Sequence, residues 1–192
     1  MTFRAALRSV FGMRVIGGEH LVTEGAVLVA ANHQSYLDPP LIGALYQDEM
    51  WYVGRKTLFT EITRWLYTRW NAIPVDQDRP DMTSLKNIIR KLRDGQRVLV
   101  FPEGERTHDG EFGEAAPGIG LLAIKAGVVI QPMRISGARA ALPRGSARVR
   151  FSRVTVHVGP PIRLTPEELK APNGKEDYDR LAKRIMAAIA AL

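Results

Sequence analysis

The stretch Val27-Leu28-Val29-Ala30-Ala31-Asn32-His33-Gln34-Ser35-Tyr36-Leu37-Asp38-Pro39-Pro40 holds the pattern that decides the fold. Val27–Ala30 is a short β-branched run, and a polar segment follows it. Pro39–Tyr46 then reads as a helix, with Asp38 as its N-cap and Pro39 at the first helical position. Strand, turn and helix in this order are one half of a βαβ unit.

The same alternation continues in both directions. Met50–Val53 and Ala72–Val75 read as strands, separated by a helix carrying Ile62, Trp65, Leu66 and Arg69. Met82–Asp94 is helical by the spacing of Met82, Leu85, Ile88, Ile89 and Leu92, and Gly95 stops it. Val98–Phe101 is a continuous apolar strand of the kind buried on both faces. Ile119–Ala126 is a helix closed by Gly127, and Val128–Ile135 is a strand. Ala147–Val158 reads as a long half-exposed strand, and Asp177–Leu192 as an Ala-rich final helix. The expectation is an α/β fold. Residues 1–192 form a single domain, with a mainly parallel or mixed central sheet flanked by helices. No internal repeat or linker interrupts it.

The chain has 192 residues, no cysteine and a net charge of +7. Without cysteine there is no disulfide scaffold, thiol nucleophile or cysteine-ligated metal. The positive excess admits three anionic partners: nucleic acid, an anionic membrane or a phosphorylated substrate. It is segregated along the chain. Arg4, Arg8 and Arg14 lie in residues 1–18 with no acid. Residues 19–114 hold 11 basic and 15 acidic residues. Residues 115–166 carry Lys125, Arg134, Arg139, Arg144, Arg148, Arg150, Arg153 and Arg163 and no acid at all. A solvated basic face would give the same asymmetry.

No apolar run approaches the roughly 20 residues that cross a bilayer. Residues 1–18 read as a basic amphipathic segment, with Phe3, Leu7, Val10 and Phe11 on one helical stripe. Such a helix either lies in a membrane interface or docks on the core. The pattern Gly118-Ile119-Gly120-Leu121-Leu122-Ala123 imitates a dinucleotide fingerprint. It lacks both the preceding strand and the acid about 20 residues later that the fingerprint requires. Gly118 and Gly120 read instead as a helix entry or a close backbone approach.

Two constellations carry candidate chemistry. In Asn32–Asp38 the only His with an Asp five residues on is His33. Asp38 can hold one ring nitrogen while the other takes a proton from a hydroxyl. In Phe101-Pro102-Glu103-Gly104-Glu105-Arg106-Thr107, Gly104 permits close backbone approach, Arg106 offers a fork for phosphate, and Glu103 accepts from a hydroxyl. Each alone is weak, since Asp38 serves as a cap and charged Gly/Pro segments after strands are commonly loops.

Together the blocks resemble the glycerolipid acyltransferase family, whose best-known members are lysophosphatidate acyltransferases. The resemblance runs from about Val15 to Arg163. Asn32–Asp38 is similar to the family's N-H-x-x-x-x-D block, Tyr52–Phe59 to its basic strand-to-helix segment and Asn71–Asp76 to its second block. Phe101–Thr107 is similar to F-P-E-G-T-R, and Val129–Met133 to the last block. Three positions depart from the pattern: Asn71 where Gly is usual, Gln77 where Arg is usual, and Glu105 where Thr is usual.

The resemblance implies direct acyl transfer to the free hydroxyl of a lysophospholipid, 1-acylglycerol-3-phosphate first, giving phosphatidate. It implies His33 as general base oriented by Asp38. Arg106 and Arg79 would hold the acceptor phosphate, and Glu103 its glycerol hydroxyl. Backbone N–H groups of the His33 turn or Gly104 would meet the oxyanion. The donor is acyl-CoA or acyl carrier protein, with no other cofactor and no metal. The basic tract would hold that polyanionic donor. The expected setting is peripheral, on the cytoplasmic side of an anionic membrane surface. Trp65, Tyr67 and Trp70 either line an acyl groove, sit at the membrane interface or pack in the core, the last being the usual role of such residues. No nucleic acid partner is expected, because Phe151 is the only aromatic in the basic tract. Acylation of another lipid hydroxyl, and a non-catalytic membrane-surface protein of the same fold, stay open.

Overall fold

The computed structural model describes residues 12–76, 82–107, 112–143, 145–146, 148–170 and 174–192. Among these residues seven strands form one sheet: β1 Arg14–Ile16, β2 Val27–Ala31, β3 Met50–Arg55, β4 Ala72–Val75, β5 Arg97–Val100, β6 Val129–Ser136 and β7 Thr155–Val158. Their spatial order is β1-β7-β6-β2-β5-β3-β4. The five strands from β6 to β4 run parallel, β7 runs antiparallel to β6, and β1 follows β7. The sheet is therefore mixed, as the pattern of alternating elements allowed.

Helices cover both faces. On one face lie α1 (Asp38–Gly43) and α5 (Ala138–Ala141), which bury Leu41, Ile42, Ala138 and Ala141 against Val27, Val29 and Leu99. On the other lie α3 (Met82–Arg93), α4 (Gly118–Ala126) and α7 (Lys175–Ala190). They bury Ile88, Leu92, Leu122, Ile185 and Ile189 against Leu28, Ala30, Val98 and Val100. Two short helices, α2 (Arg64–Arg69) and α6 (Pro166–Leu169), lie in the connections. With both faces covered, β2 and β5 are buried at every position, which is why Val27–Ala31 and Val98–Val100 read as unbroken apolar runs; Arg97, which opens β5, is paired with Asp48.

Two glycines serve close packing. A Cβ at Gly120 would lie 2.0 Å from the Tyr178 carbonyl oxygen, so α4 and α7 touch backbone to backbone there. The close approach belongs to Gly120 alone, since a Cβ at Gly118 would meet nothing within 4 Å and Gly118 is the first residue of α4, the helix entry. Gly127 ends α4 at φ 68, in the left-handed region that Gly enters without strain. Asn71, where the resembled pattern has Gly, is the one non-glycine with positive φ among the described residues, at 54. Asn tolerates that region better than other residues with a Cβ.

Four expectations need correction. Ala147–Val158 is a strand only over Thr155–Val158, because β7 begins opposite Ser136, where its partner β6 ends. Arg14–Ile16, within the segment read as amphipathic, is an edge strand. The stripe Phe3–Phe11 lies outside the described residues. Trp65 and Trp70 are not core residues: they are exposed, and only Tyr67 of the trio is half-buried. Asp38 is not an N-cap but the first residue of α1, with Leu37 in the cap position.

Candidate active site

In parallel α/β sheets the loops beyond the carboxyl ends of the strands form the binding crevice. Here β2 and β5 are neighbours in register, Ala30 opposite Val100. Three residues further along each strand direction stand His33 and Glu103, and the register carries through to them. The His33 N–H donates to Glu103 Oε1 at 3.0 Å, and the Thr107 N–H donates to the His33 carbonyl at 3.0 Å. Both backbone polar groups of His33 are thus held by the second constellation.

Asp38 fixes the ring. Its Oδ2 accepts from the N–H groups of Gln34 at 2.6 Å and Ser35 at 2.7 Å, and lies 2.8 Å from His33 Nδ1. Because Oδ2 acts as acceptor throughout, Nδ1 carries the proton and neutral His33 keeps its lone pair on Nε2. The Asp38 side chain is fully buried, while that of His33 is 15% exposed. A buried carboxylate is costly unless its oxygens are hydrogen-bonded, and three short donors on one oxygen offset that cost. Phe101 stacks on the imidazole at 3.9 Å between centroids and 11° between planes, so the ring is held in position and in orientation.

Two further residues lock the turn to the rest of the sheet. Asn32 continues the β2–β6 ladder with its side chain, donating from Nδ2 to the Ile135 carbonyl and accepting from the Ile135 N–H at Oδ1. Buried Ser35 donates from Oγ to the Leu142 carbonyl at 3.0 Å, beyond the end of β6. Sequence reasoning placed both inside the block but gave them no role. Their partners lie over 100 residues away, and no local pattern reveals such contacts.

Glu103 does more than face an acceptor. Its second oxygen, Oε2, accepts from the Gly113 N–H at 3.0 Å, so the carboxylate staples two loops to the His33 turn. Burial pushes its pKa above the usual carboxylate value, opposed by those backbone bonds and by His33. Gly104 adopts φ 75, closing the turn that Phe101 begins. The Arg106 guanidinium lies 3.8 Å over the Tyr36 ring, a cation–π contact that places it beside the His33 turn. Tyr36 was not singled out in the sequence, since an aromatic in a loop carries no periodic signal. Glu105 is exposed, and Arg79 and Gln77 lie outside the described residues.

The backbone donors expected for the oxyanion have partners of their own in this structure. The N–H groups of His33, Gln34 and Ser35 are bonded to Glu103 and Asp38, and that of Gly104 to the Phe101 carbonyl. These donors are already engaged. Among the described residues no group of three or more His, Cys, Asp or Glu side chains is placed to hold a metal ion. No helix there is long and apolar enough to cross a membrane.

The family model described as Acyltransferase matches residues 12–136. A chloroplastic 1-acyl-sn-glycerol-3-phosphate acyltransferase of Arabidopsis thaliana is 27% identical over 157 residues, covering 79% of this chain and 44% of that protein. The 1-acyl-sn-glycerol-3-phosphate acyltransferase of Bacillus subtilis is 28% identical over 102 residues, 51% of this chain and 50% of that protein. The chain spans about half the length of these relatives. The crystal structure of the 1-acyl-sn-glycerophosphate acyltransferase PlsC from Thermotoga maritima superposes with a TM-score of 0.71 at 24% identity. That match covers 99% of this chain and 78% of that one, and it is a likeness of fold.

Proposed function

This chain belongs to the acyltransferase family, and we propose that it transfers a fatty acyl group from a thioester to the free hydroxyl of 1-acylglycerol-3-phosphate, forming phosphatidate. The observation that carries the reading is the 2.8 Å contact between His33 Nδ1 and the buried Asp38 carboxylate, which leaves Nε2 as the base. Nε2 takes the hydroxyl proton as the acceptor oxygen bonds to the thioester carbonyl carbon. The tetrahedral adduct collapses with cleavage of the C–S bond, and the leaving thiolate takes the proton from Nε2. No acyl-enzyme is required, and the chain has no cysteine to form one.

Arg106 binds the acceptor phosphate in this reading, with Arg79 as its partner, and Gly104 lets the backbone approach the head group. Glu103 positions His33 and offers its remaining lone pairs to the glycerol. The names of the relatives support this acceptor. The donor is acyl-CoA or acyl carrier protein, and the chemistry needs no cofactor beyond it. A single acyltransferase domain over residues 1–192 belongs to the reading, supported by the one sheet that joins strands from Arg14 to Val158. The setting is peripheral, at the cytoplasmic side of an anionic membrane. Incubation with a labelled acyl thioester and a panel of lysolipids, read by mass spectrometry, tests it. Phosphatidate is the expected product. Product on another acceptor alone, or none, would overturn the assignment.

A further inference from the structure

Tyr36 follows His33 by three residues and is 49% exposed, on a turn whose backbone is fixed from both sides. The N–H groups of Gln34 and Ser35, just before it, donate to the buried Asp38 carboxylate. The Leu37 N–H, just after it, donates to Ser35 Oγ at 3.3 Å, and that hydroxyl donates in turn to the Leu142 carbonyl. A ring carried on such a turn starts from a fixed origin.

Arg106 lies on this ring. Its guanidinium carbon is 3.8 Å from the Tyr36 centroid, well inside the roughly 6 Å over which a cation is drawn to an aromatic face. The root of the arginine is held as well, because the next residue, Thr107, donates its N–H to the His33 carbonyl at 3.0 Å. A long, flexible side chain is thus fixed at root and tip, and both holds come from the turn that carries His33. With its face on the ring, the guanidinium keeps its N–H groups around the rim, the geometry that grips phosphate in a bidentate way.

Further rings stand behind Tyr36. Burial first, and the Tyr36 phenol second, push the Tyr67 pKa up, which sets α2 beside this turn. Tyr67 tilts against Phe59 with centroids 5.3 Å apart. Phe59 in turn covers Gly54 of β3, where a Cβ would lie 3.5 Å from its ring. A file of rings therefore runs from β3 to the arginine of the loop that follows β5.

We infer that Tyr36 is a positioning residue: its ring holds the Arg106 guanidinium beside the His33 turn and so sets the preference for an acceptor with a phosphate head group. Tyr36 touches no reacting atom. It acts by ordering Arg106 in advance, so that less freedom is lost when phosphate binds. The identity of the acceptor rests on the acyl-transfer reading; the coupling of Tyr36 to Arg106 in anion binding does not. The ring face is what matters, which makes Tyr36→Phe and Tyr36→Leu opposite cases. The first keeps the π face, and the second keeps apolar bulk without it.

The test titrates the full chain by calorimetry with a short-chain, water-soluble lysophosphatidate and with the 1-acylglycerol of the same chain length, which lacks the phosphate. Tyr36→Phe, Tyr36→Leu, Arg106→Ala and the double variant Tyr36→Leu/Arg106→Ala are compared with the parent, each beside a thermal melt. Tyr36→Leu is expected to weaken lysophosphatidate binding about fivefold, the range of a partly exposed cation–π contact. Tyr36→Phe restores binding to within about twofold of the parent. Tyr36→Leu adds no further loss once Arg106 is replaced, as a pair acting as one unit requires. In turnover, Tyr36→Leu lowers the kcat/KM ratio of lysophosphatidate over 1-acylglycerol by about the same fivefold, through KM, whereas a loosened fold would lower both acceptors alike. Unchanged binding by Tyr36→Leu, equal losses in the Phe and Leu variants, or losses that add to that of Arg106→Ala overturn the inference. So does a parent chain that binds both acceptors equally. Coupled binding losses without transfer to any acceptor leave the positioning role standing and overturn the acyl-transfer reading instead.

Discussion

Replacing Asp38 by Asn keeps shape and volume while removing the charge that the geometry concentrates on His33. Oδ2 accepts three donors at 2.6–2.8 Å inside a fully buried environment, and Oδ1 has no hydrogen-bond partner among the described residues. The amide oxygen must take the Oδ2 place, because an NH₂ there would face three donors. The NH₂ then occupies the Oδ1 place, where it is a buried donor without an acceptor, at about 1–3 kcal/mol. The three bonds on Oδ2 also lose their charge assistance, roughly half of each. Relief of burying a carboxylate offsets part of this, so the fold should lose about 2–4 kcal/mol. His33 keeps the same tautomer, but the imidazolium formed during transfer loses its anion, and kcat should fall about 10²–10³-fold with KM little changed. Urea unfolding measures the first effect. Thiol release measured with a chromogenic disulfide measures the second, free of background because the chain has no cysteine. A kcat close to that of the parent protein would refute the role given to Asp38.

Glu103 has a pKa raised above 4.5, so between the unfolded and folded values the native state holds a proton that the unfolded chain has released. Its stabilising contribution is complete below the unfolded value and is lost as pH rises through the folded one. Glu103→Gln should flatten that fall in a pH series of unfolding midpoints, and an unchanged slope would contradict it. Gly120→Ala forces a Cβ to 2.0 Å from the Tyr178 carbonyl. It should cost about 1–3 kcal/mol or more in urea unfolding, as α4 and α7 separate. Asn71→Gly should be tolerated within about 0.5 kcal/mol, whereas Asn71→Ala, at φ 54, should cost about 1 kcal/mol. Equal melting temperatures for those two variants would show that the turn does not demand the left-handed conformation.

Much of this architecture is legible in the chain because buried parallel strands leave contiguous apolar runs. Val27–Ala31 and Val98–Val100 are recognisable for that reason, and Met82–Arg93 by its helical spacing. Edge structure is less legible. Arg14–Ile16 is three residues long, and Val149 and Phe151 alternate as strand residues do while no strand among the described residues pairs with them. His33, Asp38, Glu103 and Arg106 were readable as a site, and the structure places all four at one sheet edge. What joins them was not readable, because the Ala30–Val100 register spans 70 residues. Charge counted along the chain also misleads about space. Along the chain the acid-free tract is separate from the acidic region holding both constellations, yet the bond from Ser35 to Leu142 holds the two together.

The central claim is that His33 Nε2 is the base in acyl transfer. Transfer from an acyl thioester to lysophosphatidate by His33→Ala, beside a thermal melt and circular dichroism of the same sample, tests it most directly. The account predicts an intact fold, because the backbone ties of His33 to Glu103 and Thr107 do not involve its ring. It also predicts loss of phosphatidate formation to the uncatalysed background. Phosphatidate formed at a rate near that of the parent protein would contradict it.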